Sequence, residues 1–238
     1  MRNKLLIISI LALISLSAIA KQKRILIFSK TAGYHHNSIA VGIPAIIKLG
    51  HENNFEVDTT TNSEKFTYDN LKHYAAVIFL NTTGDVLNDT QQAEFEKYIR
   101  SGGGFVGVHA ATDTEYGWPW YGNLVGAYFK SHPAQQFAVL HVVDRNFIAT
   151  KHLPADWRRF DEWYNFKWIA PNLHVLMKID EKTYTGGANG DDHPMSWYHE
   201  YDGGRAFYTE LGHTDESYAD PLYLNHLLGG IKYAMGVK

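Results

Sequence analysis

The chain has 238 residues, of which 45% are hydrophobic, 20% charged and 14% aromatic, and this composition excludes a disordered, fibrous or low-complexity protein. Its formal net charge is −3 and it contains no basic run, which argues against binding to nucleic acid or to an anionic membrane. Cysteine is absent from the sequence, so disulfides, thiolate metal sites and thiol nucleophiles are excluded.

The first twenty residues have the pattern of a secretory signal peptide. Arg2 and Lys4 precede an apolar run over residues 5–16, and Ala18-Ile19-Ala20 places small residues at the −3 and −1 positions of a cleavage site. The run is shorter than the roughly 20 apolar residues of a membrane span. We therefore expect cleavage after Ala20, a periplasmic or secreted location, and a single domain over residues 21–238.

Strands and helices alternate in the first half of this domain. Apolar or mixed runs predict strands over residues 24–28, 55–60, 76–80 and 105–108. Helical patterns predict helices over residues 38–53, 67–74 and 88–100, the last with a capping box formed by Asn88 and Gln91. The alternation predicts right-handed βαβ crossovers, and therefore an α/β fold with a doubly wound, mainly parallel sheet.

The second half of the chain differs in composition from the first, because all six tryptophans lie between Trp118 and Trp197. Residues 152–166 are aromatic and predicted to be irregular, and residues 186–191 a flexible loop. Strands are predicted over residues 135–143, 175–179, 195–200 and 205–211. The last two bracket a turn signal at residues 201–204, which predicts a late β-hairpin, and a final helix is expected over residues 217–234.

The segment Gly107-Val108-His109-Ala110-Ala111 follows the fourth predicted strand with the spacing of a nucleophile elbow. Small residues at positions 107 and 111 allow a tight strand-to-helix turn, which exposes its central side chain at the edge of the sheet. That side chain is His109, so the pattern alone does not indicate a particular reaction. The alternative is a histidine that is hydrogen-bonded to backbone groups at a sharp turn.

Other histidines lie in loops that should meet the same edge, because ligands of such sheets bind beyond the carboxyl ends of the strands. They are His36, His132, His193 and His213. Imidazole can act as base, acid or metal ligand near neutral pH. The sequence contains no H-E-x-x-H or H-x-H pair, so a metal site would have to be assembled from several loops. For each histidine, a surface position or a hydrogen-bonded core position is an equal alternative.

Two groups of side chains complete the candidate site. Asp113 lies four residues after His109 and could orient or ionise its imidazole, whereas Asp161 and Glu162 could instead form ion pairs with the preceding arginines. The aromatic side chains around Trp118, Trp120 and Tyr164 suggest a carbohydrate platform, because the apolar face of a sugar ring stacks on an aromatic ring. Packing in the core is the alternative for these tryptophans.

Taken together, these motifs resemble the trehalose-utilisation, ThuA-like family, over nearly the whole mature chain. The resemblance rests on residues 31–36, 80–87, 102–111, 118–121, 161–166, 193–194 and 204–214. It implies a flavodoxin-like fold similar to that of class I glutamine amidotransferases, in which the elbow carries a cysteine with a partner histidine and glutamate. Here His109 occupies the elbow and cysteine is absent, which excludes thiol-dependent glutaminase chemistry.

The resemblance also implies a role in the catabolism of trehalose and related disaccharides, often beside sugar oxidoreductases that make keto-sugars. Family-motif positions with functional side chains are His36, Asn81, His109, Asp113, Glu115, His132, Glu162, Tyr164, His193 and His213. Of the residues considered, we expect four to be catalytic: His109, Asp113, His36 and His213. We expect the others to bind substrate: Asn81, Glu115, Trp118, Trp120, His132, Glu162, Tyr164 and His193.

Three functions follow from this pattern. The first is a hydrolase, lyase or isomerase that acts on a disaccharide or keto-glycoside by histidine acid–base chemistry. The second is a non-catalytic sugar-binding protein on a scaffold without the cysteine nucleophile. The third is a metal-assisted hydrolase in which a divalent metal such as Zn²⁺ activates water. In each case the partner is a small-molecule carbohydrate, and a homo-oligomer is left open.

Overall fold

Eleven strands and five α-helices are present in the computed structural model, which describes residues 22–237; the predicted signal peptide lies outside the described residues. The strands are β1 (Lys23–Phe28), β2 (Phe55–Thr60), β3 (Ala76–Leu80), β4 (Gly104–Val108), β5 (Ala127–Ser131), β6 (Gln136–Val142), β7 (Asp156–Asp161), β8 (Asn165–Ile169), β9 (His174–Ile179), β10 (Pro194–Tyr201) and β11 (Gly204–Thr209). The helices are α1 (Ile39–Glu52), α2 (Tyr68–Leu71), α3 (Asp89–Arg100), α4 (Pro119–Val125) and α5 (Pro221–Ala234). Within residues 22–237, no helix is long and apolar enough to cross a bilayer.

A nine-stranded sheet with the order β2-β1-β3-β4-β11-β10-β9-β6-β7 organises the structure, and β5 pairs with β8 separately. The five strands from β2 to β11 are mutually parallel, which confirms the α/β class. The remaining pairings are antiparallel, so the sheet is mixed. Antiparallel neighbours need only short connections, whereas parallel neighbours need crossovers. Strands β10 and β11 pair across residues 202–203, and β11 then lies against β4 inside the sheet.

The structure contains four elements in the second half that were not predicted, α4, β5, β7 and β8, and it divides the predicted last helix. The segment predicted to be irregular contains β7, in which only every second residue is buried: Trp157, Arg159 and Asp161. Two of these three are charged, so a hydropathy pattern does not reveal the alternation. The predicted last helix is divided, because the Asp220 side chain caps α5 and Pro221 occupies its first turn, where a missing N–H costs nothing.

The parallel strands bring four loops to one edge of the sheet, where the candidate site lies. Isolated bridges join Thr31 to Thr83 and Gly84 to Thr114, so the loops after β1, β3 and β4 are tied together. Asn81 is fully buried with a φ of 50°, and its Nδ2 donates to Ser38 Oγ at 3.0 Å. This edge is therefore held by the backbone and by buried polar side chains before any ligand binds.

A buried histidine on α5 predicts a pH dependence of stability. Burial lowers the pKa of His226 to about 3, against the opposing hydrogen bond of its Nδ1 to Ala149 O at 2.8 Å. The unfolded chain takes up this proton near pH 6.5, so stability present above pH 6.5 is lost as the pH falls towards 3. Urea unfolding should show His226 contributing a loss of up to about 3 kcal/mol by pH 4. The fall should be shallower in His226→Gln, and a matched change at exposed His73 should leave the slope at the wild-type value.

Candidate functional site

His109 lies at the end of β4 in a left-handed backbone conformation, with a φ of 47° and a fully buried side chain. The turn closes tightly, because a Cβ on Gly107 would lie 2.9 Å from the Tyr208 ring and 3.2 Å from the Ala111 Cβ. The Nδ1 of His109 lies 2.7 Å from the backbone oxygen of Glu210. A carbonyl oxygen only accepts, so Nδ1 carries a proton, and in the neutral imidazole Nε2 then has a lone pair.

Four side chains from four separate segments converge at this point. One nitrogen or oxygen atom from each of His36, His109, Glu162 and His213 lies within 4.8 Å of the others. The Nε2 of His109 is 3.2 Å from the Nδ1 of His213 and 3.4 Å from the Oε2 of Glu162. The same Oε2 is 3.1 Å from the Nδ1 of His213. We call these four residues the imidazole–carboxylate cluster.

His36 closes the cluster from the loop after β1. Its ring packs edge-on against the rings of His109 and His213, with centroid separations of 5.0 and 5.1 Å. Burial, together with the two neighbouring imidazoles, lowers the pKa of His36 to about 2. Its Nδ1 is buried and has no hydrogen-bond partner among the described residues. His36 is thus a neutral imidazole with an unsatisfied nitrogen.

Glu162 follows β7 and supplies the negative charge of the cluster. Burial by itself raises the pKa of this carboxyl, but the hydrogen bonds and charges of His109 and His213 outweigh burial and hold the pKa well below its usual range. Its other oxygen, Oε1, is 3.1 Å from the Nδ1 of His132. The carboxylate is therefore ionised at neutral pH and held from both sides by imidazoles.

Glu210, at the end of β11, supports His109 and was not predicted. Its carboxyl is fully buried, and burial together with the nearby Asp161 carboxylate raises its pKa well above the ordinary value. Its Oε1 accepts a hydrogen bond from the Tyr164 backbone N–H at 2.9 Å and lies 3.7 Å from the Nδ1 of His109. The only signal in the sequence is an acidic residue at the end of a buried strand.

Asp161 fixes the loop that carries His213. Its carboxylate accepts hydrogen bonds from the backbone N–H groups of Gly212 and His213, both at 3.2 Å. It also forms an ion pair with Arg159 at 3.2 Å and accepts from the Ser217 hydroxyl at 3.0 Å. The ion pairing proposed as an alternative role is thus present for Asp161, whereas the neighbouring Glu162 joins the cluster.

Three members of the cluster, His36, Glu162 and His213, line a cleft of about 350 Å³, and buried His109 lies behind them. The cleft is lined by Tyr34, His36, Asp113, Phe129, His132, Gln135, Glu162, Tyr164 and His213. A second hollow of about 470 Å³ shares Tyr34, Gln135 and His213 with it. The two hollows combine aromatic side chains with several polar groups, as sites for small ligands do.

Seven of the predicted site residues meet in this region: His36, His109, Asp113, His132, Glu162, Tyr164 and His213. Asp113 does not orient His109. Its carboxylate accepts a hydrogen bond from the Tyr116 hydroxyl at 2.6 Å, and the backbone oxygen of Glu210 takes the orienting position instead. The 3₁₀ turn between His109 and Asp113 places the Asp113 side chain at the wall of the cleft.

Five predicted substrate-binding residues lie outside the lining of the cleft: Asn81, Glu115, Trp118, Trp120 and His193. Asn81 donates its side-chain hydrogen bond to Ser38 Oγ, as described above. The carboxylate of Glu115 accepts hydrogen bonds from the backbone N–H groups of Val86 and Leu87 at 2.8 and 2.7 Å. These hydrogen bonds fix the backbone of the loop after β3 from the buried side.

The two tryptophans and His193 also have structural partners. Trp118 and Trp120 stack on each other at 5.2 Å, and their indole N–H groups donate to Glu96 and Asp202, on α3 and in the β10–β11 turn. The Nε2 of His193 lies 2.8 Å from the Tyr164 backbone oxygen, behind the cleft. Their aromatic surface is thus used for packing, as the sequence analysis allowed.

The site can perform either of two kinds of chemistry. Nε2 of His109 is a lone-pair donor next to a carboxylate, which suits a general base whose positive charge is then compensated. Three imidazoles and a carboxylate also form a set of metal ligands. Both need a ligand that enters through the cleft.

Comparisons with known proteins agree with the sequence motifs. The profile of the ThuA family, described as trehalose utilisation, matches residues 24–234. Crystal structures of ThuA-like proteins from Bacteroides uniformis and Parabacteroides merdae superpose with TM-scores of 0.77 and 0.71, at 26% and 23% identity. The alignments cover 90% of this chain and 93% of the first protein, and 91% of both chains for the second.

A more distant likeness concerns the fold alone. The β-galactosidase of Bacillus circulans superposes with a TM-score of 0.61 at 13% identity, over 91% of this chain but only 31% of that enzyme. No curated protein matches the sequence. The family profile spans nearly all of the described residues, and the conclusion from the motifs is confirmed: the chain belongs to the ThuA family of trehalose utilisation.

Proposed function

We propose that this protein is an exported enzyme that acts on a carbohydrate, a disaccharide or keto-glycoside, with the imidazole–carboxylate cluster as its catalytic centre. The observation that carries the proposal is that His36, Glu162 and His213 line one cleft and that buried His109 lies in the same cluster directly behind them. Buried imidazoles beside an ionised carboxylate are costly to maintain in a folded protein, and such groups concentrate at functional sites. The family's description as trehalose utilisation supports a sugar as the ligand.

The chemistry that suits these groups is proton transfer next to a carbonyl. A keto-sugar is acidic at the carbon beside its carbonyl, and the lone pair on Nε2 of His109 takes that proton while the C–H electron pair passes into an enediolate. Glu162, 3.4 Å from Nε2, stabilises the imidazolium that results. Return of the proton to the neighbouring carbon gives an isomerase, and loss of a leaving group from the adjacent carbon gives a lyase.

The dimensions of the two hollows support a substrate of disaccharide size. The cleft beside the cluster has about 350 Å³, and the adjoining hollow adds about 470 Å³. Tyr34 and Phe129 offer aromatic surface in the cleft, and Tyr34 is 64% exposed. These two rings, instead of Trp118 and Trp120, supply the surface on which a sugar ring would stack.

The finer fold assignment belongs to this proposal. The parallel half of the sheet has the order β2-β1-β3-β4-β11, which corresponds to the flavodoxin-like order 2-1-3-4-5. The elbow residue His109 follows β4, at the carboxyl edge where ligands of such sheets bind. This supports a scaffold similar to that of class I glutamine amidotransferases, with an imidazole in place of the thiol.

The proposal is tested by incubating the purified mature protein with trehalose and with its keto derivative in D₂O. We expect deuterium to enter the keto-sugar at the carbon beside the carbonyl, and a new sugar product to appear in chromatography. His109→Asn protein should do neither. Saturable sugar binding with no exchange and no product would contradict the enzymatic proposal and favour a sugar-binding protein.

Export is tested separately. Mass spectrometry of the protein recovered from the periplasm or medium should give a chain that begins at Lys21, because the small residues of the Ala18-Ile19-Ala20 segment suit the signal peptidase. Ala18→Arg should block cleavage and leave the chain at its full length. An exported wild-type chain that still begins at Met1 would contradict the assignment of a signal peptide.

A further inference from the structure

We propose that the imidazole–carboxylate cluster is a binding site for one divalent transition-metal ion such as Zn²⁺, with His36, His109, Glu162 and His213 as its protein ligands. The site stands on the geometry of these side chains. Its use in catalysis rests on the function proposed above: it keeps the cleft and the substrate class, and it makes His109 a metal ligand instead of the base.

The spacing of the ligand atoms is the first argument. A tetrahedral ion with Zn–N and Zn–O bonds of about 2.0–2.2 Å holds its ligand atoms about 3.3 Å apart. In the cluster, the three separations among His109 Nε2, His213 Nδ1 and Glu162 Oε2 are 3.2, 3.4 and 3.1 Å. Three atoms of the required types therefore stand at the corners of one face of a coordination polyhedron.

The positions of the protons supply the second argument. Nδ1 of His109 donates to Glu210 O, so the lone pair on Nε2 of the neutral imidazole is available, and Nε2 lies 3.4 Å from Oε2 of Glu162. Two electron-rich atoms that face each other in a buried site repel each other unless a proton or a metal ion lies between them. The unpartnered and buried Nδ1 of His36 shows that this neighbourhood is not satisfied by the protein alone.

The third argument is that the groups around the cluster are placed like the outer-shell partners of metal ligands. Metal-bound histidines usually donate their second nitrogen to a carbonyl or carboxylate, as His109 does to Glu210 O. His132 lies 3.1 Å from Oε1 of Glu162 and leaves Oε2 free for the ion. The side-chain amide nitrogen of Gln135 lies 2.7 Å from the Nε2 of His213. A half-turn of this amide would place its oxygen there to accept the Nε2 proton, which would leave Nδ1 as the ligand atom.

A bound metal would change which residues of the cleft transfer protons. Its ligand His109 could no longer act as the base, and Asp113 and His132, which line the cleft without belonging to the four, would remain to move protons. His36, Glu162 and His213 line the same cleft, so the ion would face the space that the sugar enters. Bound there, the ion would supply Lewis-acid polarisation of a sugar oxygen.

The experiment uses the mature protein stripped with a chelator and titrated with Zn²⁺ or Co²⁺ alone. We expect one equivalent per chain by calorimetry and the visible absorption of Co²⁺ in a four- or five-coordinate nitrogen–oxygen site. Glu162→Gln and His213→Ala should each lower affinity by more than about 100-fold, since loss of an outer-shell partner alone costs about 10–100-fold. His213 lies on a partly exposed loop, so its variant should keep the fold if Glu162→Gln does not.

A matched control is His141→Ala, because His141 lies on β6 near the carboxylates of Asp156 and Asp180 but outside the cleft. It should leave stoichiometry and affinity unchanged. Substoichiometric binding by the wild type, or equal binding by His213→Ala, would overturn the inference. Full turnover by the stripped protein would overturn the catalytic use of the metal and leave the proposed function intact. One bound equivalent without any sugar turnover would support the metal site and contradict the proposed function.

Discussion

Replacing His109 with asparagine should lower turnover of the keto-sugar by about 10²–10⁴-fold, the usual contribution of a well-placed acid–base group. The reason is that Nε2 of His109 stands at the centre of the cluster, 3.2 Å from His213 and 3.4 Å from Glu162. Asparagine is chosen because it tolerates the left-handed conformation of this position, with its φ of 47°, better than alanine does. Steady-state kinetics with matched protein concentrations measure the effect.

The control for this experiment is His35→Ala. His35 neighbours His36 in the sequence but is exposed, with its Nδ1 3.2 Å from the Thr31 hydroxyl. It should keep wild-type turnover, and His109→Asn should keep the circular dichroism and the unfolding midpoint of a folded protein. Turnover by a folded His109→Asn protein at the wild-type rate would remove His109 from the mechanism, whether as base or as ligand.

The largest effect on stability is expected for Asp161→Asn, which should lower the free energy of unfolding by about 3–5 kcal/mol. The change leaves the guanidinium of Arg159, only 7% exposed, without its buried counter-ion, and the nearest remaining carboxylate is Asp220 at 3.5 Å. It also weakens the hydrogen bonds that hold the backbone N–H groups of Gly212 and His213. Urea unfolding at pH 7 measures the loss, and metal affinity should fall with it because His213 is displaced.

Asp156→Asn on the same strand is the matched control. Asp156 is exposed and contacts His141 at 2.7 Å, also at the surface, so its loss should cost about 0–1 kcal/mol. If Asp161→Asn lay within about 1 kcal/mol of the wild type, the buried ion pair would not support the site in the way the contacts indicate.

The elements that follow local rules could be predicted from the sequence. The strands at 55–60 and 76–80 have the predicted bounds. Residues 76–80 form a continuous apolar run that is fully buried, and in residues 55–60 Phe55 and Val57 alternate with polar residues. Both hydrogen bonds of the capping box between Asn88 and Gln91 are present. The strand β7 was missed because buried Arg159 and Asp161 stabilise each other, and a hydropathy pattern does not represent such pairs.

The candidate site also has a part that could be predicted from the sequence and a part that could not. The convergence of His36, His109 and His213 could be expected, because the strands that precede them are parallel and their carboxyl ends share one edge. Glu162 could not be placed beside His109 in this way. It follows β7, which is separated from β4 in the sheet by β11, β10, β9 and β6. The hydrogen bonds of Asp161 to the backbone of residues 212 and 213 hold this segment beside the cluster.

The sequence by itself determined the α/β class, the ThuA family, the histidine at the elbow and the exclusion of thiol chemistry, since these depend on residue identity and short-range spacing. Tertiary structure alone decided that Glu162 completes the cluster, that the backbone of Glu210 orients His109, and that Trp118 and Trp120 pack against α3 and a turn instead of lining the cleft. These are contacts between segments distant in the chain, and their energies depend on packing and buried hydrogen bonds that no local pattern encodes.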